Sequence, residues 1–245
     1  MIWGMMVLAG CASNKNQPVL PFETVEIPGG TFWVGDVFEE TDTDATPIHR
    51  TVVAPFLMGR FEITFDQYDA YATETGTPLP ADNEEGRGNR AVVNITWEEA
   101  RDFCTHYGFR LPTEVEWEYA ARSAGQKHLY AGVDSTNQLY TIAWYGDNGP
   151  PQSMPIGAKT PNTLGLYDMS GNVFEWIGDY YEFYPAPDSV PTYKDLNISF
   201  MRIIRGGSYK THAAMARTYR RAGTLADFPA DDIGFRCARS ILTDG

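Results

Sequence analysis

Three segments of this 245-residue sequence begin with the same local pattern, a threonine followed three residues later by glutamine or glutamate. The threonines are Thr64, Thr96 and Thr113. In such a capping box, the threonine hydroxyl and the returning side chain each bond a backbone amide at the start of a helix. Each segment also ends near a glycine, which can adopt the left-handed conformation just beyond a helix. The pattern therefore predicts short helices that pack against other structure.

The remaining sequence indicates short strands joined by long loops. Runs rich in Val, Ile, Phe and Tyr, broken by Gly, Pro and Asn, occur at residues 24–27, 31–34, 51–58 and 201–205. Between residues 126 and 200, turn-forming residues dominate, and no regular element longer than a few residues is expected. A loop region of that length is uncommon unless it is functional or braced by an ion or a polar network. We therefore predict an α+β fold with two main helices, small sheets and long ordered loops.

The charge of the chain argues against nucleic acid as a partner. The formal net charge is −13 at neutral pH. Such a charge repels a phosphate backbone unless a local basic patch overrides it. Residues 202–221 come closest to such a patch. We expect no nucleic-acid partner.

The first residues have the character of an export signal. An apolar run of about ten residues ends at Cys11, and it is too short to span a bilayer, which needs about 20 residues. The segment 8–11, Leu-Ala-Gly-Cys, resembles the bacterial lipobox, in which the peptide is cut before the cysteine and the cysteine then carries lipid. No Lys or Arg precedes the run, so an apolar tail with a chance cysteine is the alternative.

The export interpretation divides the chain into three parts. Residues 1–10 are the signal-like segment, residues 11–22 a tether, and residues 23–242 the folded domain. Lipid on Cys11 would attach the protein to a membrane. Residue 12 is Ala rather than Asp, which by resemblance to other lipoproteins favours the outer membrane. The expected location is therefore the cell envelope, lipid-anchored and facing the periplasm or the surface.

Three glutamates lie close together at the third capping box, Glu114, Glu116 and Glu118. Paired carboxylates can serve general acid and base catalysis. Acidic residues in a first helical turn are explained more simply by capping and by the helix dipole, so we favour a structural role. Arg110 and Arg122 flank the three glutamates and are candidate ion-pair partners.

The segment 165–176, GLYDMSGNVFEW, places two carboxylates, Asp168 and Glu175, on either side of a turn. Two carboxylates brought close together repel each other, and a hard cation reverses the sign of that interaction. Calcium accepts carboxylates together with backbone carbonyls, which Gly171 and Val173 could supply. The alternative is a solvated turn with both acids exposed, and the spacing alone leaves both interpretations open.

The stretch RGGSYKTHAAMARTYRRAG, residues 205–223, is rich in polar and basic side chains. Ser208 and His212 follow a Gly-Gly turn and could lie within reach of each other, but no orienting carboxylate for a catalytic triad is identifiable. The arginines of this stretch are candidates for recognising an anionic group because guanidinium binds carboxylate or phosphate through two bonds. They are Arg217, Arg220 and Arg221. The alternative is that they pair with acids of the protein itself.

The two cysteines beyond Cys11 are Cys104 and Cys237, which are 133 positions apart. An exported protein can keep a disulfide between them. The alternative is two separately buried thiols, which are common in protein cores. The four histidines show no metal-ligand spacing.

Six segments together resemble the sulfatase-modifying, formylglycine-generating enzyme family, whose fold is a variant of the C-type lectin fold. The segments are IPGGTFWVGD (27–36), PIHRTVVAPFLMGRFEITFDQYDAY (47–71), VNITWEEARDFCTHYGFRLPTEVEWEYAAR (93–122), PNTLGLYDMSGNVFEW (161–176), IIRGGSYK (203–210) and DIGFRCARS (232–240). The resemblance implies the lectin-like fold for the whole domain. It also implies a structural calcium ion held by Asp168, the carbonyls of Gly171 and Val173, and Glu175. Cysteines matching Cys104 and Cys237 form a disulfide in members of the family.

The resemblance fails at the catalytic centre of the family. Formylglycine-generating enzymes use two cysteines that bind copper, and the matching positions here are Thr211 and Ala216. Neither side chain can replace a thiolate as a ligand for Cu(I), so we expect neither copper nor iron. The resemblance implies a substrate groove lined by Trp176, Ser208 and His212, with Arg217 and Arg220 beside it.

These observations favour a non-catalytic binding or assembly module in a lipid-anchored envelope protein. The expected partners are an envelope protein, a peptide or a glycan, and a membrane through the lipid on Cys11. The alternative is an enzyme, either a formylglycine-generating oxidase that uses other residues or a related non-heme iron oxidoreductase.

Overall fold

The computed structural model describes residues 20–40, 42–184 and 200–241. Within these residues, helices and strands alternate with long loops. The helices are α1 (Phe65–Thr75), α2 (Trp97–His106), α3 (Glu114–Ala121) and α4 (Thr136–Leu139). The strands are β1 (Thr24–Ile27), β2 (Gly30–Val34), β3 (His49–Val53), β4 (Phe56–Gly59), β5 (Phe174–Tyr180), β6 (Met201–Arg205), β7 (Arg221–Leu225), β8 (Ile233–Gly234) and β9 (Ala238–Ser240). The predicted α+β class is confirmed.

All three predicted capping boxes are present, at the starts of α1, α2 and α3. In each, the threonine side chain accepts a bond from the third helical amide, and that residue's side chain accepts one from the threonine amide. Gly76 ends α1 with φ of 76°, in the left-handed region. The two main helices of the prediction are α1 and α2, with 11 and 10 residues, and α3 adds a shorter helix of eight residues.

The strands form three small sheets in the part of the chain that the structure describes. The first has the order β1-β4-β9, the second pairs β2 with β3, and the third has the order β7-β6-β5-β8. Neighbouring strands are antiparallel except for β5 and β8. The segment 51–58, predicted as one strand, is divided between β3 and β4 in different sheets. Pro55 lies at the division, where it lacks an amide proton for a ladder bond.

The prediction of no long regular element between residues 126 and 200 was wrong for β5. This seven-residue strand runs Phe174–Tyr180 and lies at the centre of its sheet, between β6 and β8. Its first four residues are buried. A strand buried on both faces does not show the alternating pattern that identifies a half-exposed strand. The sequence pattern therefore did not predict β5.

Buried side chains form two apolar cores, one around α1 and α2 and one around α3. Phe22 belongs to the first core and packs edge-on against Phe109, with ring centroids 5.2 Å apart. Leu20 packs against the same core. Leu20 and Phe22 lie within the predicted tether, residues 11–22, and pack against the domain; the boundary of the tether stays a prediction.

A disulfide joins Cys104 in α2 to Cys237 beside β9, with Cα atoms 5.6 Å apart. Both cysteines are fully buried in the first core. Of the two alternatives that the residues left open, the structure contains the disulfide. Closing so long a loop contributes roughly 4–5 kcal/mol to the free energy of unfolding in the chain-entropy model.

The predictions about export concern residues outside the described part of the chain. The segment 1–10, the lipobox at 8–11 and Cys11 all lie there, and they stay predictions. None of the helices in the described ranges combines the length and the apolar character needed to cross a membrane.

Candidate functional site

The turn between Asp168 and Glu175 is packed against the Gly-Gly turn of the 205–223 stretch. Gly171 has φ of 82°, and its amide donates to the Gly206 carbonyl at 2.8 Å. A Cβ at this position would collide with the carbonyl oxygen of Trp144, so only glycine fits. The Asn172 carbonyl accepts a bond from the Tyr209 amide at 2.8 Å. The two segments that the sequence singled out therefore form one continuous site.

Beside this turn, the three carboxylates of Glu62, Asp168 and Glu175 surround the guanidinium of Arg236, and we call these four residues the acidic cluster. All four are nearly or completely inaccessible to solvent. Glu175 accepts two bonds from Arg236, at 2.7 and 2.8 Å. It also accepts the indole N–H of Trp117 at 2.8 Å. Glu175 is therefore held by cationic and neutral donors, and the solvated-turn alternative for this segment is excluded by its burial.

Glu62 fixes the turn from the opposite side. Its carboxylate accepts the side-chain amide of Asn172 and the backbone amide of Val173. Burial, together with the charges of Asp168 and Glu175, raises the pKa of Glu62 well above its ordinary value. Glu62 was missed in the sequence analysis, because it lies 110 positions from Asn172 and no local pattern links the two.

Asp168 is the least satisfied member of the acidic cluster. Its Oδ2 accepts the Gly157 amide at 2.8 Å, whereas its Oδ1 is buried without a hydrogen-bond partner. Burial raises the pKa of Asp168 to about 6. A buried acceptor without a partner costs free energy, and it is a position where a cation would be stabilising.

The predicted calcium ligands fit this arrangement in donor type and in charge. When all three carboxylates are ionised, they and the one guanidinium leave a net charge of −2, which a divalent cation would balance, and Asp168 Oδ1 is without a hydrogen-bond partner. Glu175 has less capacity to bind a cation, because three N–H groups already donate to its oxygens. Within the described ranges no three His, Cys, Asp or Glu side chains form a metal-binding group, but the predicted site needs only two carboxylates. Calcium stays a prediction.

Ser208 and His212 do not form a catalytic pair in this structure. Ser208 is fully buried, and its hydroxyl donates to Asp232 at 2.7 Å. His212 is 89% exposed, and its Nδ1 lies 3.6 Å from Asp147. A carboxylate thus lies beside each residue, but none orients His212 toward Ser208. The arrangement lacks the geometry of a Ser-His-Asp triad.

The two positions that the family resemblance aligns with catalytic cysteines have structural roles. The Thr211 hydroxyl accepts the Ser208 amide at 2.9 Å and lies 3.1 Å from the Ser208 carbonyl. Ala216 is fully buried, and its carbonyl accepts the Ser170 hydroxyl at 2.7 Å. These contacts hold the turn together and supply no soft metal ligand.

Trp176 does not line an accessible groove, contrary to what the resemblance implied. It is completely buried in the first core, and its indole N–H donates to the Ile95 carbonyl at 3.1 Å. The reason is its position in β5, at the centre of a sheet. Of the predicted groove residues near the Gly-Gly turn, only His212 is largely exposed.

The arginines of the stretch are paired with acids of the protein itself. Arg217 pairs with Glu40, and Arg220 with Asp42. Arg221 binds Glu114 through two bonds, at 2.7 and 2.8 Å. The structure thus contains the arrangement that the alternative interpretation described. These guanidiniums are not a free surface for recognising an anion.

A second buried ionic group surrounds α3, and we call it the arginine cluster. It comprises Glu114, Glu118, Arg122, Arg205 and Arg221. The predicted partners Arg122 and Glu118 lie 3.0 Å apart, and Arg110 binds Glu116 through two bonds of 2.7 Å. Both pairs support the structural role that the sequence favoured for these glutamates. Arg205, which is fully buried and bonded to Glu118, was missed.

The family model described as "Sulfatase-modifying factor enzyme 1-like domain" matches residues 11–241. The chain belongs to this sulfatase-modifying factor family. The formylglycine-generating enzyme of Mus musculus is 26% identical over 92% of this chain and 77% of its own length. The protein of Bos taurus named inactive C-alpha-formylglycine-generating enzyme 2 is 28% identical over 87% of both chains. The family thus includes relatives named as enzymes and relatives named as inactive.

Solved structures agree with the family assignment. Treponema denticola variable protein 1 superimposes with a TM-score of 0.76 at 25% identity, over 90% of this chain and 95% of that one. The small sheets, short helices and long ordered loops are those of the C-type-lectin-like variant that the family adopts. The predicted fold family is therefore confirmed.

Proposed function

We propose that this member of the sulfatase-modifying factor family is a non-catalytic binding or assembly module. The proposal rests on the two residues at the positions that the family resemblance matches to the catalytic cysteines. Thr211 and Ala216 offer no thiolate, and their contacts are within the turn. Copper does not fit such a site, because Cu(I) selects soft sulfur ligands. The bovine relative named inactive is a precedent within the family.

The proposed setting is the cell envelope. The sequence before the domain supports an exported lipoprotein that is anchored to a membrane through Cys11. The disulfide between Cys104 and Cys237 is compatible with export, since disulfides persist in oxidising compartments. The proposed partners are an envelope protein, a peptide or a glycan.

We include calcium as a structural cofactor in this proposal. Asp168, Glu175 and the carbonyls of Gly171 and Val173 would hold it. Calcium would supply the positive charge that the acidic cluster lacks. The unpartnered Oδ1 of Asp168 supports this assignment. The ion would brace the turn between Asp168 and Glu175, which packs against the Gly-Gly turn.

The decisive experiment asks whether the chain converts a substrate cysteine to formylglycine. The purified protein is incubated with copper, oxygen and a peptide containing Cys-x-Pro-x-Arg, and the peptide mass is followed. We expect the cysteine to remain unchanged. An active relative provides the positive control under the same conditions.

A double variant, Thr211→Cys with Ala216→Cys, provides a second arm of the test. Activity in the double variant alone would show that the fold is competent and that the two residues account for the inactivity. Conversion of the peptide by the unmodified chain would establish the alternative, an oxidase that uses other residues, and would overturn the proposal.

A further inference from the structure

A cleft of about 500 Å³ lies on the molecule away from Ser208, Thr211 and His212. We call it the β3–β5 cleft. Its walls are residues of β3 with the following Ala54, the first turn of α3, and residues 179, 180 and 182–184 at and beyond the end of β5. The buried Arg221 contributes to one wall. Cavities of this size commonly hold a small group or a side chain.

The cleft contains four carboxylates, of which two have no ion-pair partner within 4 Å in the described ranges. Glu114 is neutralised by Arg221, and Glu116 by Arg110. The other two are Asp179 and Glu182. Neither of them forms an ion pair with another residue of the described ranges, although Asp179 accepts the Glu114 amide at 2.6 Å. Carboxylates in a cleft with low-dielectric walls concentrate cations, and the net charge of −13 acts in the same direction.

Aromatic rings stand beside these carboxylates. Phe183 is 52% exposed and Tyr180 47% exposed, and both line the cleft. Tyr180 already stacks on a guanidinium, since the Arg202 side chain lies 3.5 Å from its ring centroid. A cation gains free energy over an aromatic face, most of all a planar guanidinium that can stack. The lining of one cleft therefore offers both chemistries that bind a guanidinium, carboxylates and an aromatic ring.

We infer that the β3–β5 cleft binds an arginine side chain of a polypeptide partner. Asp179 and Glu182 accept the guanidinium N–H groups, and Phe183 packs against its face. The inference deepens the proposed binding function and rests on it. The two remain separable, because peptide oxidation and binding in the cleft are measured in different experiments on different residues.

The test uses the full chain and two short probes that differ only in charge. One probe is acetyl-Gly-Arg-Gly-amide, and the other carries citrulline, the neutral analogue of arginine. Dissociation constants are measured by ligand-observed nuclear magnetic resonance at low salt. We expect the citrulline probe to bind at least about tenfold more weakly, since it loses the charge but retains the shape.

Variants locate the binding. Glu182→Gln and Phe183→Leu are both at exposed positions. Each is expected to weaken binding of the arginine probe roughly threefold. Glu26→Gln is the matched control, because Glu26 is an exposed carboxylate on β1, outside the cleft. We expect it to bind like the unmodified chain.

Three results would overturn the inference. One is the absence of measurable binding of the arginine probe to the unmodified chain. Another is equal affinity for the citrulline probe. The third is a loss for Glu26→Gln as large as that for Glu182→Gln, which would mean that only the overall negative charge attracts the probe. Because the two cleft variants change different side chains, failure of one to fold leaves the other to decide.

Discussion

The acidic cluster and the arginine cluster are both buried, but they carry opposite imbalances of charge. The acidic cluster places three carboxylates around Arg236, whereas the arginine cluster places three guanidiniums around Glu114 and Glu118. Trp117 of α3 lies between them. Its indole donates to Glu175, and the Arg205 guanidinium lies 5.3 Å from its ring. A single aromatic side chain thus touches both networks.

The charge imbalance of each cluster can be compared with the pKa shifts of its buried ionisable groups. In the acidic cluster, burial raises the pKa of Glu62 and of Asp168. In the arginine cluster, burial and the nearby Arg205 lower the pKa of Arg122, against the opposing charge of Glu118. Burial thus penalises groups of the surplus sign in each cluster, and in the arginine cluster it also raises the pKa of Glu114 despite Arg205 and Arg221. The acidic cluster contains one guanidinium, whereas the arginine cluster contains three.

The largest expected effect comes from removing that one guanidinium. Arg236→Met deprives Glu175 of both ion-pair bonds and leaves the carbonyls of Gly59, Arg60 and Tyr167 without this donor. Breaking a buried ion pair from one side costs about 3–5 kcal/mol of unfolding free energy. Urea denaturation in the presence of a chelator measures it.

Arg221→Met is the matched variant in the other cluster. It also removes a bidentate bond to a buried glutamate, but Arg205 Nη1 remains 3.5 Å from Glu114. We expect a smaller loss than for Arg236→Met, measured in the same denaturation series. An equal or larger loss would show that the surplus of guanidiniums gives no protection, and the contrast between the clusters would fail.

The sequence predicted the local parts of these networks and missed the distant ones. Arg122 and Glu118 lie four positions apart, so helix geometry brings them together. Arg110 precedes α3, but it lies only six positions from Glu116, near enough in the chain for the pair to be proposed from the sequence. The capping boxes were equally predictable from the sequence, because each depends on residues three positions apart. Patterns on one element predict contacts within that element.

Contacts between elements gave no comparable signal. Glu175 and Arg236 are separated by 61 positions, and Glu118 and Arg205 by 87. Asp232 was likewise not identified as the partner of Ser208. The burial of Trp176 was not predicted, because a central strand has no alternating pattern. These contacts depend on the topology of the sheets. Sheet topology leaves no local periodic pattern in a single sequence.

An effect of intermediate size would come from filling the acidic cluster with a cation. Calcium at 100 times its dissociation constant should raise the unfolding free energy of the unmodified chain by about 2.7 kcal/mol. Asp168→Asn removes a charge at the position of the unpartnered oxygen, so we expect it to abolish the gain. Thermal or urea unfolding with calcium or with chelator measures both proteins.

Asp66→Asn is the control for the calcium experiment, since Asp66 is an exposed acid in the first turn of α1. It should keep the full response. If the unmodified chain gains no stability from calcium, the fold tolerates the charge imbalance of the acidic cluster without a cation, and calcium is not its counter-ion.

The smallest expected effect tests a pair outside both clusters, Arg110 with Glu116. Burial opposes ionisation of Glu116, but the bonds from Arg110 and Thr113 outweigh it and lower its pKa. The folded state therefore keeps the charge to lower pH than the unfolded state does. The stabilisation is present above the ordinary pKa and is lost as pH falls through the folded one. Glu116→Gln retains the capping bond, since glutamine also serves in a capping box.

The difference in unfolding free energy between the unmodified chain and Glu116→Gln isolates this charge, because the other titrating groups are common to both. Arg110 is 38% exposed, so solvent screening limits the difference to roughly 1 kcal/mol at neutral pH. Urea denaturation from neutral to acidic pH should show it shrinking toward zero. Glu98→Gln, at a side chain 71% exposed and 3.9 Å from Arg101, should change less. A difference that persists at acidic pH would place the stabilisation in packing rather than in charge, and would remove the half-exposed pair as a reference for the two buried clusters.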